Sequence, residues 1–529
     1  MRDMLGKDVE EFREDLQEFY DMTEKFYNKE ITVAEYKGFS GGFGSYAQRG
    51  GERSMLRLRL PAGEVEQEKL KFIADSIEKY QIDMAHFTTC QTIQLHNLTK
   101  DTVCALIGEA MEHGIITRGG GGDFPRNVMC SPLSGVEEGE YFDVTPYAKV
   151  AGDYLLGFIK KVKLPRKLKV CFSGNEKNET HATFRDLGFV AKKNGKFDVY
   201  AAGGLGIKPK FGVCVVENLE PTKVLYVVKT MIDVFTAHGN YKQRSASRTR
   251  FLQDTLGAEG LQKVFKETLE RNLEKEELDI QTDTLIAYNS ENTGVEDKAK
   301  KVENEQKVEN AKVIEQKQKG LYAIYYHPIG GVPEIKFFRE MYETIKDMEE
   351  VKLRLTPEQG IYVVNLTARE VEKVLPLMED DQGTEFERST ACIGADVCQV
   401  GIGKSQIMLE QILKRVKMEN FANGVLPAIH ISGCPSSCSA HQTAIIGLRG
   451  GKKPSQDGPK DAFAIYENGS QKQGEEAFGE ELGILAVEDI PDFFVELGRA
   501  VQKEGMTYIQ FKKRYPEKTK EIAQLFLDK

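Results

Sequence analysis

The sequence predicts an α+β fold that is duplicated within one chain. Residues 43–114 alternate strand patterns with helix patterns, which is the succession of a ferredoxin-like unit. Short stretches of the first half recur in the same order later: NLT at 97–99 returns at 365–367, and FSG at 172–174 returns as ISG at 431–433. Ordered repeats indicate an internal duplication, so we expect two related halves with pseudo-twofold symmetry.

Length and composition limit the kind of protein that this chain forms. The 529 residues are 40% hydrophobic and 29% charged, as in a soluble globular protein of about three domains. The formal net charge of −10 argues against a general nucleic-acid binder. No apolar run approaches the roughly 20 residues that span a bilayer, and the charged start MRDMLGKDVEEF lacks the apolar core of a signal peptide. We therefore expect a cytoplasmic protein with neither a membrane nor a nucleic acid as partner.

The elements of the first half follow from hydrophobic periodicity. Apolar residues at helical spacing predict an amphipathic helix near the N-terminus, and alternating apolar residues predict strands separated by helices. We expect helices over residues 3–28, 64–80, 99–114 and 221–260, and strands over residues 55–60, 86–96 and 164–174.

A charged stretch separates the two halves. Residues 289–318 contain no aromatic residue, are dominated by Lys and Glu, and include the short tandem repeat KVENEQKVEN. Such a composition buries too little apolar surface to order itself, so a linker or an exposed helix is expected. The predicted division is an N-terminal helix with a first ferredoxin-like half-domain over 1–120, a first α+β domain over 121–288, the charged insertion over 289–318, a second ferredoxin-like half-domain over 319–385 and a second α+β domain over 386–529.

The two halves differ in the chemistry of their side chains. RNVMC at 126–130 aligns with RSTAC at 388–392, and this alignment pairs Cys130 with Cys392. The first half holds the cationic groups, whereas the second holds two short-spaced cysteine pairs. A pseudo-twofold arrangement would place a cofactor between the halves.

The two cysteine pairs dominate the second half. Cys392 and Cys398 have five residues between them, Cys434 and Cys438 have three, and glycines surround both pairs. Four thiolates in two close pairs can hold one metal centre, and thiolate is the ligand that iron–sulfur clusters use. A four-cysteine zinc site usually shows C-x2-C spacing, and disulfides are rare in a chain without a secretory signal. Four unrelated buried cysteines are the third alternative, although such residues rarely fall together in glycine-rich turns.

At these cysteines the chain resembles a known family. The pattern C-x5-C followed by G-C-P-x-S-C-x-x-H is similar to that of the siroheme-containing nitrite and sulfite reductases, and the resemblance covers nearly the whole chain except the charged insertion. It implies a [4Fe–4S] cluster held by Cys392, Cys398, Cys434 and Cys438. It also implies that Cys438 bridges to the iron of a siroheme, so siroheme and the cluster are the expected cofactors.

Four arginines fall within eleven residues, at positions 49, 53, 57 and 59. Such a group is either a solvated strand edge or an anion site. Siroheme carries many carboxylates, and guanidinium groups pair with carboxylates through two parallel hydrogen bonds. The segment resembles the family's Q-R-x(n)-M-L-R-x-R-x-P stretch, so Arg49, Arg53 and Arg57 are the expected siroheme partners.

Three further cations are the expected substrate ligands. Arg126 precedes Asn127 as in a substrate-binding motif of the family, and Lys167 and Lys169 match its K-x-K pair. Side chains two residues apart on a strand point the same way, so a solvated strand face would also explain the two lysines. Sulfite-reducing members resemble this K-x-K, whereas plant-type nitrite-reducing members have Asn at the second position, so Lys169 favours sulfite.

One position departs from the family pattern. The family's TTxQTxQxH segment carries an arginine that reaches the substrate anion, and here that position is Cys90. A neutral thiol cannot replace a guanidinium as an anion donor, and the loss of one charge-assisted contact typically costs about 1.5–3 kcal/mol. Cys90 therefore indicates either a compensating cation nearby or a changed substrate.

The resemblance implies a six-electron reduction of sulfite to sulfide, or of nitrite to ammonia at the same site. Arg126, Lys167 and Lys169 would neutralise the anion and supply protons. The sequence shows no NAD or flavin fingerprint, so electrons would come from a ferredoxin or a separate flavoprotein. The alternative is a cluster protein that transfers electrons or senses redox state, and Cys90 is its only support.

Overall fold

The structure, a computed structural model, describes residues 9–302, 308–378, 383–456 and 458–527, with residues 287 and 289–293 described by their backbone alone. The chain divides into two compact units. The first unit comprises the residues up to 204, 209–326 and 333–378, and the second comprises 205–208, 327–332 and the residues from 379 onwards. Two of the five domains expected from the sequence, 121–288 and 319–385, contain residues of both units, and the boundaries of all five remain a prediction.

Threonine side chains begin several of the helices. Thr32, Thr99, Thr367 and Thr507 each accept the backbone N–H three residues further on, which satisfies one of the free donors of the first turn. No helix among the described residues is long and apolar enough to cross a membrane. In chain order the helices are α1 (Leu16–Tyr27), α2 (Val33–Ser40), α3 (Gln67–Lys79), α4 (Lys100–Glu112), α5 (Thr145–Leu156), α6 (Val224–His238), α7 (Leu252–Lys275), α8 (Thr282–Val302), α9 (Phe337–Ile345), α10 (Ala368–Val374), α11 (Ser405–Lys417), α12 (Ile490–Lys503), α13 (Tyr508–Arg514) and α14 (Lys518–Leu527).

The strands are short, and in the described part of the chain they form four sheets. In chain order they are β1 (Ser45–Ala47), β2 (Ser54–Leu58), β3 (Glu64–Val65), β4 (Ala85–Phe87), β5 (Ile93–Leu98), β6 (Met129–Cys130), β7 (Val170–Ser173), β8 (Leu187–Ala191), β9 (Phe197–Ala201), β10 (Val213–Leu219), β11 (Val313–Glu315), β12 (Tyr322–Tyr326), β13 (Lys352–Leu355), β14 (Ile361–Leu366), β15 (Thr390–Ala391), β16 (Ile429–Ser432), β17 (Ile446–Lys453), β18 (Lys460–Glu467) and β19 (Glu480–Ala486).

Two antiparallel sheets belong to the ferredoxin-like half-domains. Their strand orders are β1-β2-β5-β4 and β11-β12-β14-β13-β3, so β3 of the first half joins the sheet of the second half beside β13. The ends of β5 and β14 repeat in detail. Asn97 and Asn365 have left-handed φ angles of 57° and 67°, and Thr99 and Thr367 cap the helices that follow. The repeat confirms the predicted duplication.

The other two sheets repeat a second topology. β6, β7 and β8 run parallel before β9 and β10 turn antiparallel, and β15 to β19 follow the same sequence of directions. A glycine is required at the same place in each sheet. A Cβ on Gly188 would lie 1.9 Å from Ala182 O, and one on Gly447 would lie 2.0 Å from His441 O. The predicted α+β fold with two related halves is therefore confirmed.

The strand predicted over residues 86–96 is wrong, because the structure forms a hairpin of β4 and β5 there. The N–H of Thr88 donates to Thr92 O at 3.0 Å and closes the turn, in which Gln91 has a left-handed φ of 52°. Apolar alternation resumes after the turn, so periodicity alone does not reveal the reversal. Cys90 consequently lies in a turn rather than on a strand face.

The charged stretch between the halves contributes regular structure. α8 extends into it, and β11 lies near its other end. Lys298 of α8 is buried, donates to Glu349 O at 2.7 Å and to Asn365 O at 2.8 Å, and forms an ion pair with Glu370 at 2.7 Å. This part of the stretch is therefore packed, whereas residues 303–307 of the tandem repeat lie outside the described residues.

Candidate functional site

Two parallel strands of the second unit bring the cysteine pairs to one sheet edge. Cys392 directly follows β15, and Cys434 comes two residues after β16. β15 and β16 are parallel, so their carboxyl ends meet at the same edge. There the N–H of Gly433 donates to Cys392 Sγ at 3.1 Å. The first cysteine of each pair is therefore fixed by the strand that precedes it.

The loop that carries Cys398 folds back onto this edge. The N–H of Cys398 donates to Gly394 O at 2.8 Å, and the N–H groups of Ile402 and Gly403 both donate to Gly433 O at 2.8 Å. A side chain does not fit at Gly433, where a Cβ would lie 2.6 Å from Gly403 O. The glycines around the cysteines thus allow backbone to pack on backbone between the two loops.

The four cysteine residues differ in burial. Cys434 is buried, Cys392 and Cys398 are half-buried, and Cys438 is exposed. Burial raises the pKa of Cys392, while the hydroxyl of Ser405 and backbone N–H groups act to lower it. Such donors stabilise a thiolate, which is the form that binds iron.

These cysteines have the features of an iron–sulfur ligand set. Thiol donors, N–H groups that donate to sulfur and glycine-lined loops all suit a cluster with sulfur ligands. In the described residues, no three His, Cys, Asp or Glu side chains are close enough together to hold one metal ion. In a [4Fe–4S] cluster each cysteine binds a different iron, so four ligands need not surround a single ion. The donor set therefore fits a cluster.

The first unit contains the same pair of loops without the thiols. The N–H of Gly174 donates to Ser131 Oγ at 3.0 Å, as that of Gly433 donates to Cys392 Sγ. The register of the parallel strands gives the same correspondence. Ser131 is therefore the counterpart of Cys392, and the predicted pairing of Cys130 with Cys392 is wrong by one residue. Short letter matches do not determine strand register, whereas hydrogen bonds do.

Three more residues of the first unit occupy cysteine positions. The two loops share backbone hydrogen bonds and left-handed residues at matching places, and these features identify the counterparts. Glu137, Asn175 and Glu179 correspond to Cys398, Cys434 and Cys438, in that order.

These polar residues interact with one another. Asn175 Nδ2 donates to Glu137 Oε2 at 2.7 Å, and Lys177 forms an ion pair with Glu137. Burial and the negative charge of Glu137 raise the pKa of Glu179 to about 7. In the first unit a hydrogen-bonded polar group thus replaces the thiols of the second.

Arg126 is surrounded by backbone carbonyls in the first unit. Its Nη1 donates to Gly120 O at 2.7 Å and its Nη2 to Gly122 O at 2.8 Å. Nε is buried and has no hydrogen-bond partner among the described atoms. Burial, together with the charge of nearby Arg57, lowers the pKa of Arg126 to about 10. The two carbonyls hold the guanidinium in place, and the remaining N–H at Nε could donate to an anion.

Lys167 and Lys169 precede β7 and are half-buried. Leu168 between them is buried and forms a parallel bridge with Pro125. The N–H of Lys169 donates to Oδ2 of the buried Asp186 at 2.9 Å. Asp186 therefore fixes the backbone from which the Lys169 side chain extends.

Cys90 lies among cationic side chains. Burial acts to raise the pKa of its thiol, but the charges of Lys169, Arg185 and Arg57 lower it to about 6. A thiol with this pKa is largely ionised at neutral pH. A negative charge is therefore favoured at the position where the sequence resemblance implies a cation.

The structure separates the four clustered arginines. Arg49 and Arg53 are exposed, Arg57 is half-buried and Arg59 is buried. Arg57 and Arg126 donate to the same backbone carbonyl. Arg59 donates to backbone carbonyls inside the first unit, as a structural residue does. Of the three expected siroheme partners, Arg57 therefore lies beside Arg126.

Sequence reasoning missed three residues near these cations. Tyr46 Oη accepts the N–H of Gly122 at 2.7 Å, and the charge of Arg126 acts to lower its pKa. The other two, Arg185 and Asp186, follow the loop that corresponds to the second cysteine pair. An alignment of the two halves through the loop of the second cysteine pair could have identified Arg185 and Asp186.

Two family models match the chain. The nitrite/sulfite reductase ferredoxin-like half domain matches residues 46–113, and the nitrite and sulphite reductase 4Fe-4S domain matches residues 121–273. The second range is the first copy of the α+β fold, which carries Ser131. The four cysteines lie in the second copy.

Characterised relatives share this similarity over most of the chain. The ferredoxin–nitrite reductase, chloroplastic, of Zea mays is 27% identical over 423 residues, which are 77% of this chain and 71% of that protein. The ferredoxin–nitrite reductase of Synechococcus elongatus is 25% identical over 84% of this chain and 85% of that protein. Sulfite reductase (ferredoxin) 2 of Mycolicibacterium paratuberculosis is 24% identical over 88% of this chain and 82% of that protein.

Among solved structures, the NirA protein of Mycobacterium tuberculosis is similar to this chain. The TM-score is 0.76 at 20% identity, and the match covers 96% of this chain and 94% of that one. This similarity shows a shared fold.

Proposed function

Since the chain belongs to the nitrite and sulfite reductase family, whose members use siroheme and a [4Fe–4S] cluster, we propose that it reduces a small oxyanion of sulfur or nitrogen with these two cofactors. One observation carries the proposal. Cys392 and Cys434 follow adjacent parallel strands, and the N–H of Gly433 donates to Cys392 Sγ at 3.1 Å. A thiolate held in this way is suited to iron, and two further cysteines follow in the same loops.

The residues that would hold the cofactors are Cys392, Cys398, Cys434 and Cys438 for the cluster and Arg49, Arg53 and Arg57 for the carboxylates of siroheme. Cys438, the exposed cysteine of the set, would also bind the siroheme iron. When bound, the two cofactors supply electrons and an iron that accepts the substrate anion.

Arg126, Lys167 and Lys169 would receive the anion. The buried Nε of Arg126 lacks a partner among the described atoms, and Lys169 is fixed through its backbone by Asp186. Cations held in place before the substrate arrives stabilise negative charge as bonds to oxygen break. The lysine ammonium groups would also donate protons to the departing oxygen atoms.

Sulfite is the first candidate substrate, and it would be reduced by six electrons to sulfide. Lys169 supports it because that residue completes the K-x-K pair. Nitrite, reduced to ammonia, is the second candidate. It is supported by Cys90, which brings negative charge to Lys169, and by the names of the relatives from Zea mays and Synechococcus elongatus. The electron donor would be a ferredoxin or a separate flavoprotein, and those names support ferredoxin.

The test begins with protein purified without oxygen. We expect the absorbance of siroheme, iron in excess of the siroheme iron, and turnover of sulfite and of nitrite with a reduced viologen. The ratio of the two kcat/KM values then identifies the preferred anion. A fully loaded protein that turns over neither anion would contradict the proposal and favour electron transfer or redox sensing.

A matched pair of variants tests the cationic site. Lys169→Met should lower kcat/KM for both anions by roughly tenfold or more, because one charge-assisted contact is lost. Lys163→Met removes an exposed lysine from the same segment between α5 and β7, and it should retain the activity of the parent protein. Equal activity of the two variants would remove Lys169 from the substrate site.

A further inference from the structure

We propose that Cys90 is the anionic partner of Lys169 and that this pair shifts the selectivity of the site towards a singly charged anion, nitrite, and away from the more highly charged sulfite. The inference rests on the proposed function and concerns the choice between its two candidate substrates.

The hairpin turn holds Cys90 in a defined position. Its N–H donates to Thr88 Oγ1 at 3.3 Å, and its carbonyl accepts Asn127 Nδ2 at 3.2 Å. The next residue, Gln91, has its side chain in three hydrogen bonds, which reach Cys130 N and O and Leu355 O at 2.7–2.9 Å. Backbone and side-chain bonds on both sides therefore restrict the motion of Cys90.

The surroundings of Cys90 come from three parts of the first unit. It packs against an apolar cluster that includes Met129 and Cys171. These two residues pair across β6 and β7. Arg126 lies just before β6, and Lys169 lies just before β7. Ala182 of the same cluster precedes Arg185 by three residues. Cys90 thus lies where the substrate cations and Arg185 converge.

The charged groups that act most strongly on Cys90 are Lys169, Arg185 and Arg57, and all three are cations. Lys169 donates a hydrogen bond to the sulfur, Arg185 and Arg57 act on it through their charge, and its own charge acts on Arg126. Burial opposes ionisation, yet these cations hold the pKa of the thiol at about 6. The thiolate therefore persists through neutral pH.

A thiolate in place of a guanidinium lowers the charge of the site by two units. The electrostatic energy of a bound anion scales with its own charge, so an anion with two charges loses twice as much as one with a single charge. Nitrite carries one negative charge, and sulfite carries up to two near neutral pH. Arg185 supplies a cation that partly offsets the missing arginine, which retains binding of the singly charged anion.

The test compares anion affinities of the loaded enzyme. Dissociation constants of nitrite and sulfite are measured from the absorbance of the oxidised protein between pH 5.5 and 8, and kcat/KM is measured with a reduced viologen. We expect Cys90→Ala and Cys90→Ser to shift both ratios towards sulfite by roughly tenfold at pH 7.5 and by less at pH 5.5, where the thiol is protonated. Cys90→Arg should shift them further.

Cys214→Ala is the matched control, because it removes a half-buried thiol on β10 whose pKa is raised by burial to about 11. It should leave both ratios unchanged. Ratios that stay within about twofold of the parent in Cys90→Ala and Cys90→Ser would overturn the inference. Absence of turnover in the parent protein would instead contradict the proposed function, while the affinity ratios would still decide the role of Cys90.

Discussion

Ser131 holds in the first copy of the duplicated fold the position that Cys392 holds in the second. Each side chain accepts the N–H of a glycine after the neighbouring parallel strand, at 3.0 Å for Ser131 Oγ and 3.1 Å for Cys392 Sγ. The backbone that presents a ligand is thus present twice, and the side chain decides which copy can bind iron. Hydroxyl and carboxylate side chains suit hard cations, whereas thiolate suits iron–sulfur chemistry.

Cys392→Ser should remove the cluster. The hydroxyl would still accept the Gly433 N–H, but it is a poor ligand for cluster iron at neutral pH. We expect cluster iron to fall to roughly a tenth or less and reductase activity to fall with it. Cys104→Ser on α4, where burial raises the pKa of the thiol to about 11, should retain full iron content. Full cluster iron in Cys392→Ser would show that this residue is not a ligand.

A second cluster should form when the first copy receives thiols. The variant carries Ser131→Cys, Glu137→Cys, Asn175→Cys and Glu179→Cys, which places cysteines at the four corresponding positions. Lys177 loses its ion pair with Glu137 and becomes a counter-charge for the anionic cluster. We expect iron and acid-labile sulfide per chain to about double after reconstitution. The same variant with Ser at positions 137, 175 and 179 is the control. Equal iron in both would show that the two loop pairs are not equivalent.

Glu179→Gln should change how stability depends on pH. The pKa of Glu179, raised by burial and by Glu137 to about 7, exceeds the value of about 4.3 for an unfolded glutamate. Between these two pKa values the folded state retains a proton that the unfolded state releases. The stability of the protein therefore falls as pH rises towards 7, because the buried carboxyl group then has to ionise. The difference in unfolding free energy between Glu179→Gln and the parent should therefore change in favour of the variant by on the order of 1–3 kcal/mol from pH 5 to pH 8.

Urea unfolding at the two pH values measures this change. Glu176→Gln, which alters the exposed carboxylate three residues earlier, should show the same difference from the parent at both pH values. A constant difference for Glu179→Gln as well would mean that the Glu179 carboxyl titrates normally.

Glu64→Gln should destabilise the first unit. Glu64 is 2% exposed and forms ion pairs with Lys149, Lys352 and Arg354, which hold the pKa of its carboxyl well below the usual range. Removing the charge takes away the buried carboxylate that these three cations share, at a cost of roughly 3–5 kcal/mol. The loss should appear in unfolding free energy at pH 7 and shrink in acid, where the parent also loses the charge as pH falls through the folded pKa.

The control for this change is Asp297→Asn on α8. Asp297 pairs with Lys300 on an exposed helix face, so its loss should leave the unfolding midpoint nearly unchanged. Similar effects of the two substitutions would show that the buried pairs of Glu64 add little to stability.

Much of the fold was predictable from the sequence, because duplication leaves letter matches at positions with backbone constraints. Asn97 and Asn365 recur since both take left-handed φ angles, and Gly188 and Gly447 recur since neither place admits a Cβ. The hairpin at Cys90 was missed because apolar alternation resumes after the turn. Local patterns of hydrophobicity report burial and not chain reversal.

The sequence by itself determined the donor atoms of this protein. Residue type and spacing are enough to identify four thiols in two close pairs, a K-x-K pair and a cysteine in place of an arginine. Only the tertiary structure decided that Ser131 rather than Cys130 corresponds to Cys392, and that Lys169 and Arg185 act on Cys90. Strand register and electrostatic contact depend on how distant segments meet, and hydrogen bonds and burial establish that only in the folded chain.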